Sequence, residues 1–164
     1  MEFLFDTNIY TEIIKDSDGE KLVENIIGDK NFVIHNFRLI REELKNTPKN
    51  VKFEEERLRF LLLELHDKIV KGEIILETKE IIQLAEDYYN EYKKQGGGVG
   101  KDHIIKDFKI VACAALKNMD IIVSNDESSL KCDNAKLSYF IVNTKINLRT
   151  PSFYNYLVLK KLKI

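Results

Sequence analysis

Apolar residues in this chain follow two patterns: short, mostly apolar runs that stop abruptly at polar residues, and longer stretches with an apolar residue every third or fourth position. The runs at 1–5, 32–34, 73–76, 121–123 and 139–142 predict strands. The longer repeats predict helices over 9–15 and 19–27, separated by an Asp16-Ser17-Asp18 turn, and over 37–45, stopping near Pro48. A long helix is expected from Lys52 to Val70, with Leu58, Leu61, Leu62, Leu65 and Ile69 on one face. Phe53, Phe60 and Leu63 fall roughly opposite, which implies a deeper sandwich or a partner surface. Helices over 79–94 and 104–117 follow, and Thr150-Pro151 reads as the cap and first-turn proline of a C-terminal helix.

Short strands separated by helices imply an α/β fold: a mostly parallel central sheet with helices on both faces. A length of 164 residues, with no internal repeat or boundary-like stretch, suits one domain over 1–164. The glycine-rich segment 96–100 lacks the Gly-Lys-Ser/Thr ending of a phosphate-binding loop, so a flexible loop is the expectation.

Composition narrows the setting. Two cysteines, Cys113 and Cys132, with no CxxC argue against structural zinc and for a reducing compartment. No apolar run is long enough to span a membrane, and Asp6 interrupts the apolar start, so a cytoplasmic protein is expected. A net charge of −1 excludes no nucleic-acid role, because binding needs only a local basic patch. Arg38, Arg41, Lys101, Lys106 and Lys131, and the late Lys160, Lys161 and Lys163, are either phosphate contacts or ordinary solvated residues.

The chemistry-bearing candidates are carboxylates. Asp6 ends the first strand, where α/β sheets bind ligands, although it would also cap the helix that follows. Asp126 repeats that arrangement behind the 121–123 strand. Asp107 lies on the shoulder of an apolar stripe formed by Ile104, Phe108, Val111, Ala112 and Ala115, where it would lose hydration and need a partner or a metal. Glu43 lies near the buried stripe of Phe37, Ile40 and Leu44, whereas Glu42 points away and reads as solvated. Convergence of Asp6, Glu43, Asp107 and Asp126 would place several like charges together, which demands cations. All-oxygen donors suit Mg²⁺ or Mn²⁺, and such sites typically carry out phosphoryl transfer. His35, His66 and His103 sit in no motif and read as surface or packing residues.

Four segments together resemble the PIN-domain ribonucleases: the apolar strand ending in Asp6-Thr7-Asn8, the Glu43-Leu44 helix, Asp107 with Ile110-Val111-Ala112, and Ser124-Asn125-Asp126. The resemblance spans essentially the whole chain. It implies a PIN-like α/β/α domain of about five parallel strands, and metal-dependent endoribonuclease activity at Asp6, Glu43, Asp107 and Asp126, with Asn8 and Ser124 in support. It also implies an RNA substrate, homodimers and, in many members, an antitoxin-like protein partner. Two departures stand out. Ser124 replaces the frequent Thr, and the 52–94 segment is longer than in compact toxin-type members, which favours the nuclease assignment over the toxin one. Asp102 lies beside the glycine loop and is not expected in the cluster. The rival expectation is a catalytically silent PIN-like domain that binds RNA or a protein.

Overall fold

The computed structural model describes residues 1–162, so Lys163 lies outside the described residues. In chain order the first elements are β1 (Glu2–Phe5), α1 (Thr7–Lys15), α2 (Gly19–Gly28), β2 (Val33–Phe37) and α3 (Arg38–Lys45). A hairpin of β3 (Lys52–Phe53) and β4 (Glu56–Arg57) leads into α4 (Leu58–Ile69), β5 (Val70–Ile75) and α5 (Lys79–Lys94). The chain ends with α6 (Lys101–Leu116), β6 (Ile121–Val123), α7 (Asp133–Lys145), β7 (Ser152–Tyr154) and α8 (Tyr156–Lys161).

Five strands form one sheet in the order β5-β2-β1-β6-β7, and every neighbouring pair is parallel. The two directions of winding part between β1 and β6, the position where open α/β sheets bind ligands. Helices α1 to α4 pack on one another as one group and α5 to α7 as a second, giving the α/β/α layers expected from the alternating pattern. Phe3, Leu4, Phe5, Ile122 and Val123 are buried, as expected of central strands covered on both faces.

Four boundaries differ from the sequence reading. The 139–142 run is not a strand but the middle of α7, with Tyr139 and Val142 buried and Phe140 61% exposed. Its four adjacent apolar residues therefore occupy different sides of a helix. The helix expected from Lys52 starts at Leu58, because residues 52–57 form the β3–β4 hairpin, with Glu54 in the left-handed region at φ 54°. The strand expected at 73–76 runs from Val70 to Ile75 and pairs with β2, so the 52–94 segment contributes to the central sheet and is not an addition outside it. Thr150-Pro151 does not open a helix. Residues Ser152–Tyr154 pair with β6 as the sheet edge, where a proline just ahead is tolerated, and Asn155 caps α8 by accepting from Val158 N at 2.9 Å.

The glycine-rich segment is a packed connector between α5 and α6. Val99 N donates to Tyr92 Oη at 3.1 Å, and a Cβ on Gly97 would stand 2.2 Å from the Tyr92 ring. Only glycine fits there.

Candidate active site

The site begins with strand register. Phe5 of β1 pairs with Val123 of β6, so the next residues, Asp6 and Ser124, leave the sheet side by side. Asp6 N donates to Val123 O at 2.9 Å, which extends the ladder to the point of exit. The Asp6 carboxylate then caps α1, with Oδ1 accepting from Thr7 N at 2.7 Å. Its Oδ2 accepts from Ser124 Oγ and from Asn8 Nδ2, each at 2.6 Å. Asn8 Oδ1 accepts from Asn125 N at 3.0 Å, and Ser124 Oγ accepts from Asp126 N at 3.0 Å. The two exits are thus tied together by Asn8 and Ser124, the residues expected in support.

Asp126 folds the following loop onto itself. Its Oδ1 accepts from Ser128 N and Ser128 Oγ at 2.8 Å and from Ser129 N at 2.9 Å. Its Oδ2 meets Ser129 Oγ, and that same hydroxyl lies 2.5 Å from Asp107 Oδ2. The loop is anchored from below by Tyr139 Oη donating to Leu130 O at 2.9 Å. Asp107 reaches this point because α6 leads back into β6, which puts the N-terminal half of the helix at the C-terminal edge of the sheet. Glu43 sits on α3, which starts where β2 ends, and pairs with Lys106 at 3.5 Å. A cleft of about 410 Å³ opens beside the carboxylates, lined by Asn8, Thr11, Glu43, Asn46, Thr47 and Lys106 among others. Of the four carboxylates Glu43 alone lines it; Asp6, Asp107 and Asp126 lie outside that lining.

No family model matches the sequence, and no curated protein sequence matches it either. Solved structures do. The chain is similar to the structure of VapBC2 from Rickettsia felis bound to a DNA fragment from their promoter, with a TM-score of 0.61 and 18% identity over 94% of this chain and 98% of that one. It is also similar to FitAcB from Neisseria gonorrhoeae, with a TM-score of 0.62 and 14% identity over 94% and 98% of the two chains. A third is VapBC-1 from nontypeable Haemophilus influenzae, with a TM-score of 0.58 and 16% identity over 96% and 99%. The fold is PIN-like. In this PIN-like domain the first and last acidic segments occupy the ends of β1 and β6, at the switch point of the sheet.

The electrostatics separate the four carboxylates. Burial pushes Asp107 up to about 7; the Ser129 hydrogen bond opposes this, and the charges of Asp6, Asp126 and Glu43 add to it. Burial also raises Asp6, against the hydrogen bonds from Ser124 and Thr7. Glu43 is raised by burial, with Lys106 pulling the other way. At Asp126 burial is outweighed by hydrogen bonds from Ser129 and Ser128, and its carboxyl is held below the usual value. One hydroxyl proton cannot serve both Asp107 and Asp126.

The donor set is all oxygen and negatively charged, which is the chemistry of a hard divalent cation. Among the described residues no three His, Cys, Asp or Glu groups are arranged to share one ion, because Ser129 stands between Asp107 and Asp126 and Lys106 takes Glu43. Mg²⁺ keeps most of its waters and needs only one or two direct carboxylates. Asp107 and Asp126, each with an Oδ2 on one hydroxyl, could supply those carboxylates, and Asp6 and Glu43 would complete the charge balance.

Other candidates lie outside the cluster. Glu42 is exposed and pairs with Arg38 at 3.5 Å, and Asp102 is exposed in the first turn of α6. His35 pairs with Glu2 at the opposite end of the sheet, and His103 is exposed. His66 is a packing residue, fully buried, with its ring 5.4 Å from Tyr10. The basic residues expected singly all have acidic partners: Arg41 with Asp67, Lys101 with Glu86, and Lys131 with Glu127. Sequence reasoning missed Ser129 and the pairing of Lys106 with Glu43. The only signal for Ser129 was an Asp followed at two and three positions by serines, a pattern that reads as an ordinary turn.

Proposed function

We propose that this chain is a divalent-metal-dependent endoribonuclease that hydrolyses RNA phosphodiester bonds, with Asp6, Glu43, Asp107 and Asp126 as catalytic, metal-binding residues. The observation that carries this reading is the gathering of four sequence-distant carboxylates at the switch point of a PIN-like sheet, with Lys106 the one cation paired with them among the described residues. Bound Mg²⁺ or Mn²⁺ would supply an activated water and neutralise charge on the phosphate and leaving oxygen. The chain's own residues prepare the place. Asn8 and Ser124 fix the orientation of Asp6. Lys106 faces both Glu43 and the cleft, so it is positioned to meet an incoming phosphate. The uncharged donors Thr11, Asn46 and Thr47 line the same cleft and suit a backbone approached without regard to base identity.

The solved neighbours are VapBC and FitAB-type structures, two of them bound to DNA fragments. On that basis we propose an antitoxin-like protein partner, a homodimeric state and a cytoplasmic setting. Among the described residues no helix is long and apolar enough to cross a membrane. One observation favours the rival, a catalytically silent domain that binds RNA or a protein: Ser129 and Lys106 already engage the carboxylates that would have to hold the ion.

Incubation of the pure protein with a labelled structured RNA, in Mn²⁺, Mg²⁺ or EDTA, separates the two. The expected result is metal-dependent cleavage that falls to background in both Asp6→Asn and Asp126→Asn. Equal cleavage by wild type and both variants would mean a contaminant and end the nuclease reading. RNA binding without cleavage would select the silent domain.

A further inference from the structure

Ser129 belongs to no motif that suggested the site, yet it makes the shortest link between two of its carboxylates. The Asp126 side chain is unevenly committed. Its Oδ1 already accepts three hydrogen bonds, from Ser128 N, Ser128 Oγ and Ser129 N, and a carboxylate oxygen has no room for a further ligand once so occupied. Whatever Asp126 gives to a cation must therefore come from Oδ2. That oxygen is the one facing Ser129 Oγ, and the same hydroxyl faces Asp107 Oδ2 at 2.5 Å. Asp107 is carried by a helix and Asp126 by a loop, and Ser129 is the hydrogen-bonded link between the two.

We propose that Ser129 is a positioning residue of the metal centre: it holds the Oδ2 oxygens of Asp107 and Asp126 toward one point and sets their separation. This rests on the metal-site reading above. Asp107 and Asp126 would hold the ion, and the Ser129 hydroxyl would donate to one of their carboxylates from the outer shell. Outer-shell partners of this kind typically control metal affinity by 10- to 100-fold. The backbone part of the turn does not depend on the side chain, because Ser129 N donates to Asp126 Oδ1 at 2.9 Å whatever residue stands there. Removing the hydroxyl thus tests aiming, and leaves the loop its main-chain bond.

The experiment is Mn²⁺ titration by calorimetry of wild type, Ser129→Ala, Ser129→Thr and Asp107→Asn, with melting curves of each in EDTA. Ser129→Ala should bind Mn²⁺ about 10- to 100-fold more weakly at an unchanged melting temperature, and Ser129→Thr, which keeps the hydroxyl, should restore affinity. Wild-type affinity in Ser129→Ala would overturn the role of Ser129 while leaving the metal site standing. A melting temperature lowered in EDTA and not rescued by Ser129→Thr would assign the residue to loop structure and overturn the proposal. Absence of Mn²⁺ binding by the wild type itself would remove the metal-site reading, and the positioning role with it.

Discussion

Strands β1 and β6 carry acidic residues at both ends, and the fold treats the two ends in opposite ways. Where they begin, Asp120 accepts from Glu2 N at 2.8 Å and pairs with Arg149 at 2.9 Å, while Glu2 meets His35. The backbone N–H of Glu2 and then Arg149 hold the Asp120 carboxyl below its usual value. Where the same strands end, Asp6, Asp107 and Asp126 face one another and Lys106 pairs only with Glu43. Burial, compounded by those neighbours, drives Asp107 to about 7. An acidic residue at a strand end is therefore no mark of function by itself; what sets the two ends apart is the shortage of cations around several of them.

Asp107→Asn should have the largest effect on this contrast. The carboxyl takes its proton at about 7 in the folded chain and at 3.8 when unfolded. For this group the fold is most favoured below 3.8, loses stability as pH rises through that window, and has lost all of it above about 7. Urea unfolding in EDTA should show the wild type losing on the order of 3 kcal/mol between pH 5 and pH 8. Asp107→Asn should lose far less, and should be the more stable protein at pH 8. Parallel pH profiles for the two would break the account of a carboxyl raised by burial and by its charged neighbours.

Lys106→Met acts in the other direction. It removes the cation beside a Glu43 side chain that is 25% exposed, so the metal-free protein should lose about 1 kcal/mol at pH 8 by the same measurement. Combining it with Asp107→Asn should shrink that loss, since fewer charges then need the lysine. A loss that is the same in both backgrounds would show that Lys106 serves Glu43 alone and not the cluster.

Arg149→Ala, the matching deletion at the other end, should have the smallest effect. Arg149 is about half exposed, and Asp120 keeps its backbone donor, so about 0.5 kcal/mol is expected, fading in high salt. A loss as large as that from Lys106→Met would erase the difference between the ends.

The sequence exposed the parts of this arrangement that depend on neighbours along the chain. The apolar runs 1–5 and 121–123, buried over 3–5 and 121–123, stop at polar residues, so the exits at Asp6 and Ser124 could be read directly. Helix position likewise placed Asp107 at the edge of a core and separated Glu43 from the solvated Glu42. What escaped depends on packing. The 139–142 run resembles a strand because four apolar residues in a row carry no helical period, although α7 buries Tyr139 and exposes Phe140. Strand β7 is three residues long and is defined only by the edge of β6 that it completes. Ser129 reaches Asp107 across 22 positions, and no local spacing announces a contact made by docking a loop on a helix.

The pairing of Phe5 with Val123 also sets a schedule for synthesis. Asp6 is synthesised well before Ser124, which fixes its Oδ2 and lies 118 positions later. At the usual 5–20 residues per second that interval is roughly 6–24 s. Throughout it β1 has no β6 beside it, Asp126 does not yet exist, and the carboxylates cannot gather. A nascent chain halted between the two therefore carries the first acidic segment without the carboxylates that surround it in the folded protein.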